Sequence, residues 1–450
     1  MLQSPSRIFH RNLNAQLPVA LAGEGVYIRD KQGNRYLDAC GGAAVSCLGH
    51  GHPRVIDSIK HQLDSMAYAH SGFFTSEPSE QLAHFLAHRA PEDIEHVYFL
   101  SGGSEAVEAA LKMARQYFLE AGQPSKHKFI ARRQSYHGNT LGALSVSGNR
   151  WRRQQFEPML MNIEHISPCY AYRDQLDGET ERDYGLRVAN ELDSKIEEMG
   201  AENVIAFIAE PVVGATGGAL VPAPGYFKRI REICDKHNIL LILDEVMCGM
   251  GRTGSMFACE QEAVRPDIIT IAKGLAAGYQ PIGATLCSNH IYSQFRDGSG
   301  AFQHGHTYVG HATACAAALA VQQTIEDDNL LDNVNRMGEL LNLALHDRFG
   351  EHPYIGDIRG RGLFRALELV ADRDTKAPLS HELSIAAEIK KQGMAQGLAC
   401  YPNSGTIDGL NGDHVLLAPP YIIDQTHVEE IVDKLGLAVD AALNSKGILI

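Results

Sequence analysis

Apolar residues along the chain fall into short unbroken runs, separated by longer stretches of helical periodicity. The runs are VYFL (97–100), KFIA (128–131), VIAFIAE (204–210), ILLILDEV (239–246), DIITIAK (267–273) and IGATLCS (282–288). Several lack the alternation expected of a strand with one wet face. They predict strands of a mostly parallel sheet covered on both sides. Amphipathic segments lie between them. In EAVEAALKMARQYFLEAG, Ala106, Ala109, Ala110, Met113 and Tyr117 recur at helical spacing, and YFKRIREICDKHN is a second such segment. The alternation from 97 to 290 predicts an α/β sandwich, a large domain (51–325) with its sheet between helices. After residue 330 the pattern changes. A helical stretch over 326–350 leads into IGDIRGRGLFRALELV, a helix, HVLLAPPYII and a last helix. This predicts a smaller α+β domain over 326–450. Near the start, GVYIRDKQGNRYLDA reads as a β-hairpin about Gln32, Gly33 and Asn34. Residues 1–50 are expected to pack with the C-terminal domain.

Composition narrows the class. With 450 residues, 44% of them hydrophobic, the chain has the material for an enzyme with a large core. A net charge of −14 and a pI near 5.8 argue against nucleic acid or an anionic membrane as partner. No apolar run reaches the length of a membrane span, and MLQSPSRIFHRNLNAQL is too polar for a secretory signal, so the expected location is cytoplasmic. The nine cysteines include no CxxC pair, which predicts reduced, mostly buried thiols.

The candidate chemistry sits where strands end, the place where sheets of this kind bind ligands. Lys273 closes the apolar run PDIITIA and is followed at once by Gly274. A lone charge there would be expensive to bury, so either the lysine reaches out to water or its nitrogen is used as a nucleophile that forms a Schiff base. In FLSGGSEAVEAA two glycines end a strand and Ser104-Glu105 open a helix, which makes either a plain helix start or a phosphate site. LILDEV puts Asp244 and Glu245 at a strand end, where a carboxylate needs a fixed positive partner. Tyr136 and His137, in SYHGNT, offer either a packed loop aromatic or a ring for stacking on a flat ligand. In HGHTYVGH, Thr307 before an alanine-rich helix is a better phosphate ligand than His304, His306 and His311 are metal ligands, and neither they nor His50 and His52 have partners at ligand spacing. No metal site is expected. GMGRTG (249–254) matches a dinucleotide-binding glycine pattern, but Asp244-Glu245 intervene after the strand and no long helix follows, so the match is discounted.

A phosphate site, a stacking aromatic, an aspartate for a pyridinium nitrogen and a lysine for an aldehyde are together what pyridoxal 5'-phosphate requires. From YLDACGGAAVSCLGHGHP to HVLLAPPYII the chain resembles the class III aminotransferases of pyridoxal-phosphate fold type I, the omega-aminotransferase group. ILLILDEVMCGMGRTGSMFACE, PDIITIAKGLAAGYQPIGA and HGHTYVGH carry the resemblance. It implies that Lys273 holds the cofactor as a Schiff base and then shuttles a proton, and that Asp244 pairs with the pyridine nitrogen. It implies further that Val246 and Tyr136 flank the ring, Gly103 and Ser104 bind the phosphate, and Glu210 faces the cofactor and substrate. Thr307 would reach the phosphate of a neighbouring subunit, so a homodimer, or a tetramer built from dimers, is expected. The segment SGGS departs from the family's more frequent Asn-Ser-Gly-Ser.

The reaction so implied moves an amino group from an omega-amine or amino acid to a small 2-oxo acid in ping-pong order. A 2,2-dialkylglycine decarboxylase or an aminomutase would use Lys273 and Asp244 equally well, and a non-catalytic cofactor-binding module is a third reading. The resemblance also bears on substrate. Relatives that use 2-oxoglutarate carry an arginine where this chain has Leu416. Relatives that pair pyruvate with omega-amines often carry one near Gly409. Neither is present. A carboxylate anchor would have to come from Arg152, Arg153 or Arg365. Ala44 replaces a bulky tryptophan, with Phe73 and Phe74 left as apolar walls. The expected donor has a sizeable or apolar body, and the expected acceptor is small, such as pyruvate.

Overall fold

The structure, a computed structural model, describes residues 6–449. The first five residues of the N-terminal segment discussed above lie outside the described residues, as does Ile450.

A seven-stranded sheet forms the centre. Its order is Ile94–Leu100, Gly283–Ser288, Ile268–Ile271, Leu240–Asp244, Val204–Ala209, Lys128–Arg132, Glu164–Ile166. Every residue of Val204–Ala209, Leu240–Asp244 and Ile268–Ile271 is buried, as continuous apolar runs require when helices cover both faces. One face packs against Glu181–Met199 and Tyr226–Lys236 through Val188, Leu192, Phe227 and Ile230. The other packs against Gly103–Glu120 through Val107, Ala110, Ala114 and Phe118. The chain thus has the α/β sandwich of fold type I. Gly283–Ser288 alone runs against the direction of the other six strands. This inversion brings its N-terminal end to the edge where the parallel strands finish.

The C-terminal part builds a four-stranded antiparallel sheet in the order Ile355–Arg361, Phe364–Leu369, Asp413–Leu417, Tyr401–Ser404. Helices Leu330–Phe349, Ile385–Ala395 and Gln425–Ser445 supply its apolar cover through Leu341, Ile389 and Leu435. The hairpin strands Tyr27–Asp30 and Arg35–Asp38 pair antiparallel, with Gly33 at φ 90° in the turn and Asp30 Oδ1 accepting from the N–H of Gln32 and Asn34. Arg35–Asp38 also pairs parallel with Leu398–Ala399, so Val26 and Leu37 share a core with Leu398 and Leu435.

One expectation needs correction. The helical stretch over 326–350 is two helices, Ala312–Asp327 and Leu330–Phe349. Asn329, left-handed at φ 52°, breaks the run; asparagine tolerates that conformation better than most residues. All nine cysteines are unpaired and buried. Among the described residues no helix is long and apolar enough to cross a membrane.

Candidate active site

Where the parallel strands end, a cavity of about 420 Å³ opens. Lys273, Asp244, Val246 and Glu210 line it from three adjacent strand ends. Tyr136 comes from the loop after Lys128–Arg132, and Gly103 and Ser104 from the start of the helix after Ile94–Leu100. Gln280, Pro281 and Ile282 enter from the inverted strand. Sequence positions far apart therefore converge because the sheet gathers its strand ends on one edge.

Lys273 sits just past Ile268–Ile271 at φ 48°, a left-handed conformation that is strained for a residue with a side chain. Among the described residues its ammonium has no hydrogen-bond or ion-pair partner. Burial pulls its pKa down to about 8, against the opposing pull of Asp244 and Glu210. A lysine so placed is partly neutral near physiological pH and is available as nucleophile or base.

Asp244 is 3% exposed and held on both oxygens. Oδ2 meets Nδ1 of buried His137 at 2.7 Å, while Oδ1 accepts from Thr270 Oγ1 at 3.2 Å and from the Val246 N–H at 3.0 Å. This carboxylate cannot swing away. Glu210 lines the cavity, but both of its oxygens accept backbone N–H groups, from Tyr136 at 2.7 Å and Gly214 at 2.8 Å, and burial raises its pKa. Its visible work is to fix the loop that carries Tyr136.

The helix Gly103–Glu120 starts after Gly102, which provides no capping side chain. Its first N–H groups are left at the cavity wall, with the positive helix end behind them. Ser104 Oγ donates to Asn139 Oδ1 and accepts from the Asn139 N–H, tying this start to the Tyr136 loop. The tie requires glycine at 138: its φ is +136°, and a Cβ would lie 2.6 Å from Ser104 Oγ. Val246 packs so closely that a Cβ on Gly103 would come within 2.8 Å of it.

Other expected residues lie elsewhere. Thr307 is exposed and outside the cavity, its carbonyl accepting from Tyr68 Oη at 2.7 Å. Phe73 and Phe74 do not line the cavity and are 81% and 67% exposed. Ala44 is buried against Val212 and Leu416, and Val45 faces the cavity in its place. Arg153 donates to the carbonyls of Leu144, Ser145 and Ser147. Arg365 is taken up by Gly360, Gly362, Asn342 and Glu339. Both are structural. In GMGRTG, Arg252 is 1% exposed and bonds the carbonyls of Leu363 and Pro419, so that loop braces the C-terminal sheet. The contact of His137 with Asp244 escaped sequence reasoning. Its one signal was its place beside Tyr136 after a strand.

The cavity suits an anionic ring bearing an aldehyde and a protonatable nitrogen. It offers an uncapped helix start for the anion, a fixed buried carboxylate for the nitrogen and an unpaired lysine for the aldehyde. Comparison with known proteins agrees. The class III aminotransferase family model matches residues 9–439. An uncharacterized aminotransferase of Schizosaccharomyces pombe is 45% identical over 97% of this chain and 95% of its own length. Gamma aminobutyrate transaminase 3 of Solanum lycopersicum, a chloroplastic protein, is 37% identical over 92% of this chain and 79% of its own. The solved omega transaminase of Pseudomonas jessenii in complex with PMP superposes with a TM-score of 0.90 at 34% identity, over 96% of this chain and 94% of that one. With a match of this extent, the chain belongs to the class III aminotransferases, a family of pyridoxal-phosphate-dependent enzymes.

Proposed function

We propose that this aminotransferase binds pyridoxal 5'-phosphate in the 420 Å³ cavity. In our reading it moves an amino group from an omega-amine or amino acid of sizeable or apolar body to a small 2-oxo acid such as pyruvate, in ping-pong order. The observation that carries the reading is the unpartnered, desolvated Lys273 in one cavity with the fixed carboxylate of Asp244. When bound, the cofactor supplies an aldehyde for the amine and a ring that accepts the electrons of a broken Cα–H bond. The chain does the rest. The N–H groups of Gly103 and Ser104 would hold the phosphate, and Val246 and Tyr136 would flank the ring. Asp244, steadied by His137 and Thr270, keeps the ring nitrogen protonated. Lys273 takes the proton from the substrate carbon and returns it one position away, a role its lowered pKa suits. Glu210 holds Tyr136 in register.

Support for a small acceptor comes from Leu416, which is buried and apolar, and from the loop 405–412, which has no arginine. The test is a spectral half-reaction of the purified holoenzyme with amines, followed by turnover with pyruvate and with 2-oxoglutarate. Wild type should favour pyruvate in kcat/KM. Lys273→Ala should lose at least about a thousandfold in turnover with its fold intact, and Asp244→Asn should bind cofactor but react far more slowly. Wild-type rates in Lys273→Ala would end the assignment.

We also propose a homodimer, or a tetramer of dimers, with composite sites. Exposed Thr307 accepts a hydrogen bond on its carbonyl from Tyr68, whose ring meets exposed Tyr308, and this is the surface a second copy would cover. Sedimentation at assay concentration checks this, and a fully active monomer would contradict it.

A further inference from the structure

A second cavity, about 430 Å³, lies beside the first, and Ala215 belongs to both linings. Its basic residues are Arg152, His381 and Lys390, and its lining contains no carboxylate. That is against the grain of a chain with 54 acidic and 40 basic residues, where a cleft left to composition would carry acid groups. Arg152 is half-buried, and its guanidinium stands 4.8 Å from the centre of the Tyr136 ring. Among the described residues that guanidinium has no hydrogen-bond acceptor and no ion-pair partner; only its backbone N–H is used, by Asn149 Oδ1 at 3.2 Å. Arg153, by contrast, donates from Nη1 to three carbonyls, and Arg365 is bonded to two carbonyls, Asn342 and Glu339. The turn that presents Arg152 is braced from outside: a Cβ on Gly409, at φ +91°, would lie 3.0 Å from the Trp151 nitrogen.

An unpaired guanidinium with five donors, stacked on the aromatic wall of a reaction cleft, is built to take a planar anion. We propose that Arg152, with His381 and Lys390 around it, binds a carboxylate that the amino donor carries several bonds from its reacting carbon. The favoured donor is thus a long omega-amino acid lying from Lys273 past Ala215 into the second cavity. Arg152 lines the second cavity and not the first, so in this proposal it serves the donor's distant carboxylate and not an acceptor as short as pyruvate. This inference deepens the proposed function and rests on it.

The test compares matched donors, 6-aminohexanoate and hexylamine, with the holoenzyme and with Arg152→Gln and Arg152→Lys. The carboxylate should raise kcat/KM roughly ten- to hundredfold in the wild type, mostly through KM, since a charge-assisted pair is removed or made with little change at the reacting carbon. In Arg152→Gln the ratio between the two donors should collapse to near unity, and Arg152→Lys should restore part of it. A second readout is binding. Trp151 is the only tryptophan of the chain, lines the same cavity and is 67% exposed. Glutarate should change its fluorescence and compete with 6-aminohexanoate, and both effects should weaken in Arg152→Gln. An equal loss with both donors would make Arg152 a prop for Tyr136 and overturn the proposal. So would a fluorescence response to inorganic phosphate alone, without competition by glutarate, which would mark a free-anion site. Failure of hexylamine and 6-aminohexanoate alike in the wild type would instead strike at the proposed function itself.

Discussion

Lys273 is held by opposing forces, and their balance is measurable. Burial disfavours its charge, Asp244 and Glu210 favour it, and burial wins, leaving a pKa of about 8 instead of the ordinary 10.5. Uptake of pyridoxal phosphate by cofactor-free protein should therefore accelerate with pH around a midpoint of about 8, read by absorbance. A midpoint above 10 would mean that the amine is solvated. Lys273 and Asp244 stood out in the sequence because a charge at the end of a buried apolar run has few reasons to be there. The coupling of His137 to Asp244 did not, because it joins two loops by a contact that no local pattern encodes. Arg152 was visible only as one of several arginines. What distinguishes its guanidinium from those of Arg153 and Arg365 is the absence of partners among the described residues, which only three dimensions reveal.

At the scale of elements, strand ends and helix faces were legible, since apolar runs and helical spacing report burial directly. Direction was not: Gly283–Ser288 is as fully buried as the parallel strands, and an antiparallel strand buried on both faces reads the same. The break at Asn329 was hidden inside a stretch of helical periodicity. The turn after Leu240–Asp244 depends on Glu245, which is 1% exposed and accepts the N–H of Ala258 at 2.6 Å and of Cys259 at 2.8 Å. Burial raises its pKa to about 7. The folded state then holds this proton more tightly than the unfolded one. Its contribution to stability is complete below the ordinary carboxylate range and is lost as pH rises through about 7, on the order of 3 kcal/mol in all. Glu245→Gln, which never ionises, should flatten the fall in urea midpoint between about pH 5 and 8. It should also lose about 1 kcal/mol at low pH, because the amide oxygen cannot serve both N–H groups as well. A slope identical to wild type would assign the pH dependence to another group.

At the scale of the whole molecule, the two main sheets are joined by a buried ionic network. Glu368, in the C-terminal sheet, accepts from Arg359 and Arg173 at 2.6 Å each and from the Tyr170 hydroxyl. Arg359 also donates to the carbonyls of Gly217 and Gly218, in the loop after Val204–Ala209. Burial pushes the Glu368 pKa up, but Arg359 and Arg173 outweigh it and hold the carboxyl below its usual value. Its contribution is therefore present at neutral pH and lost on acidification. Glu368→Ala strands two buried guanidinium groups and should cost about 3–5 kcal/mol by chemical denaturation at pH 7. A loss below about 1 kcal/mol would show that the sheets are held by apolar packing alone. The inverted strand adds a consequence of a different kind, for the making of the protein. Ile94–Leu100 is an edge of the seven-stranded sheet, and Gly283–Ser288 is its neighbour there. On the ribosome, the helix start with Gly103 and Ser104 emerges early, yet the strand that positions it stays unpaired until residue 288 is out. During that interval Ile94–Leu100 offers an open ladder to any other nascent chain, so the first strand of this sheet to be made waits for the last one to pair.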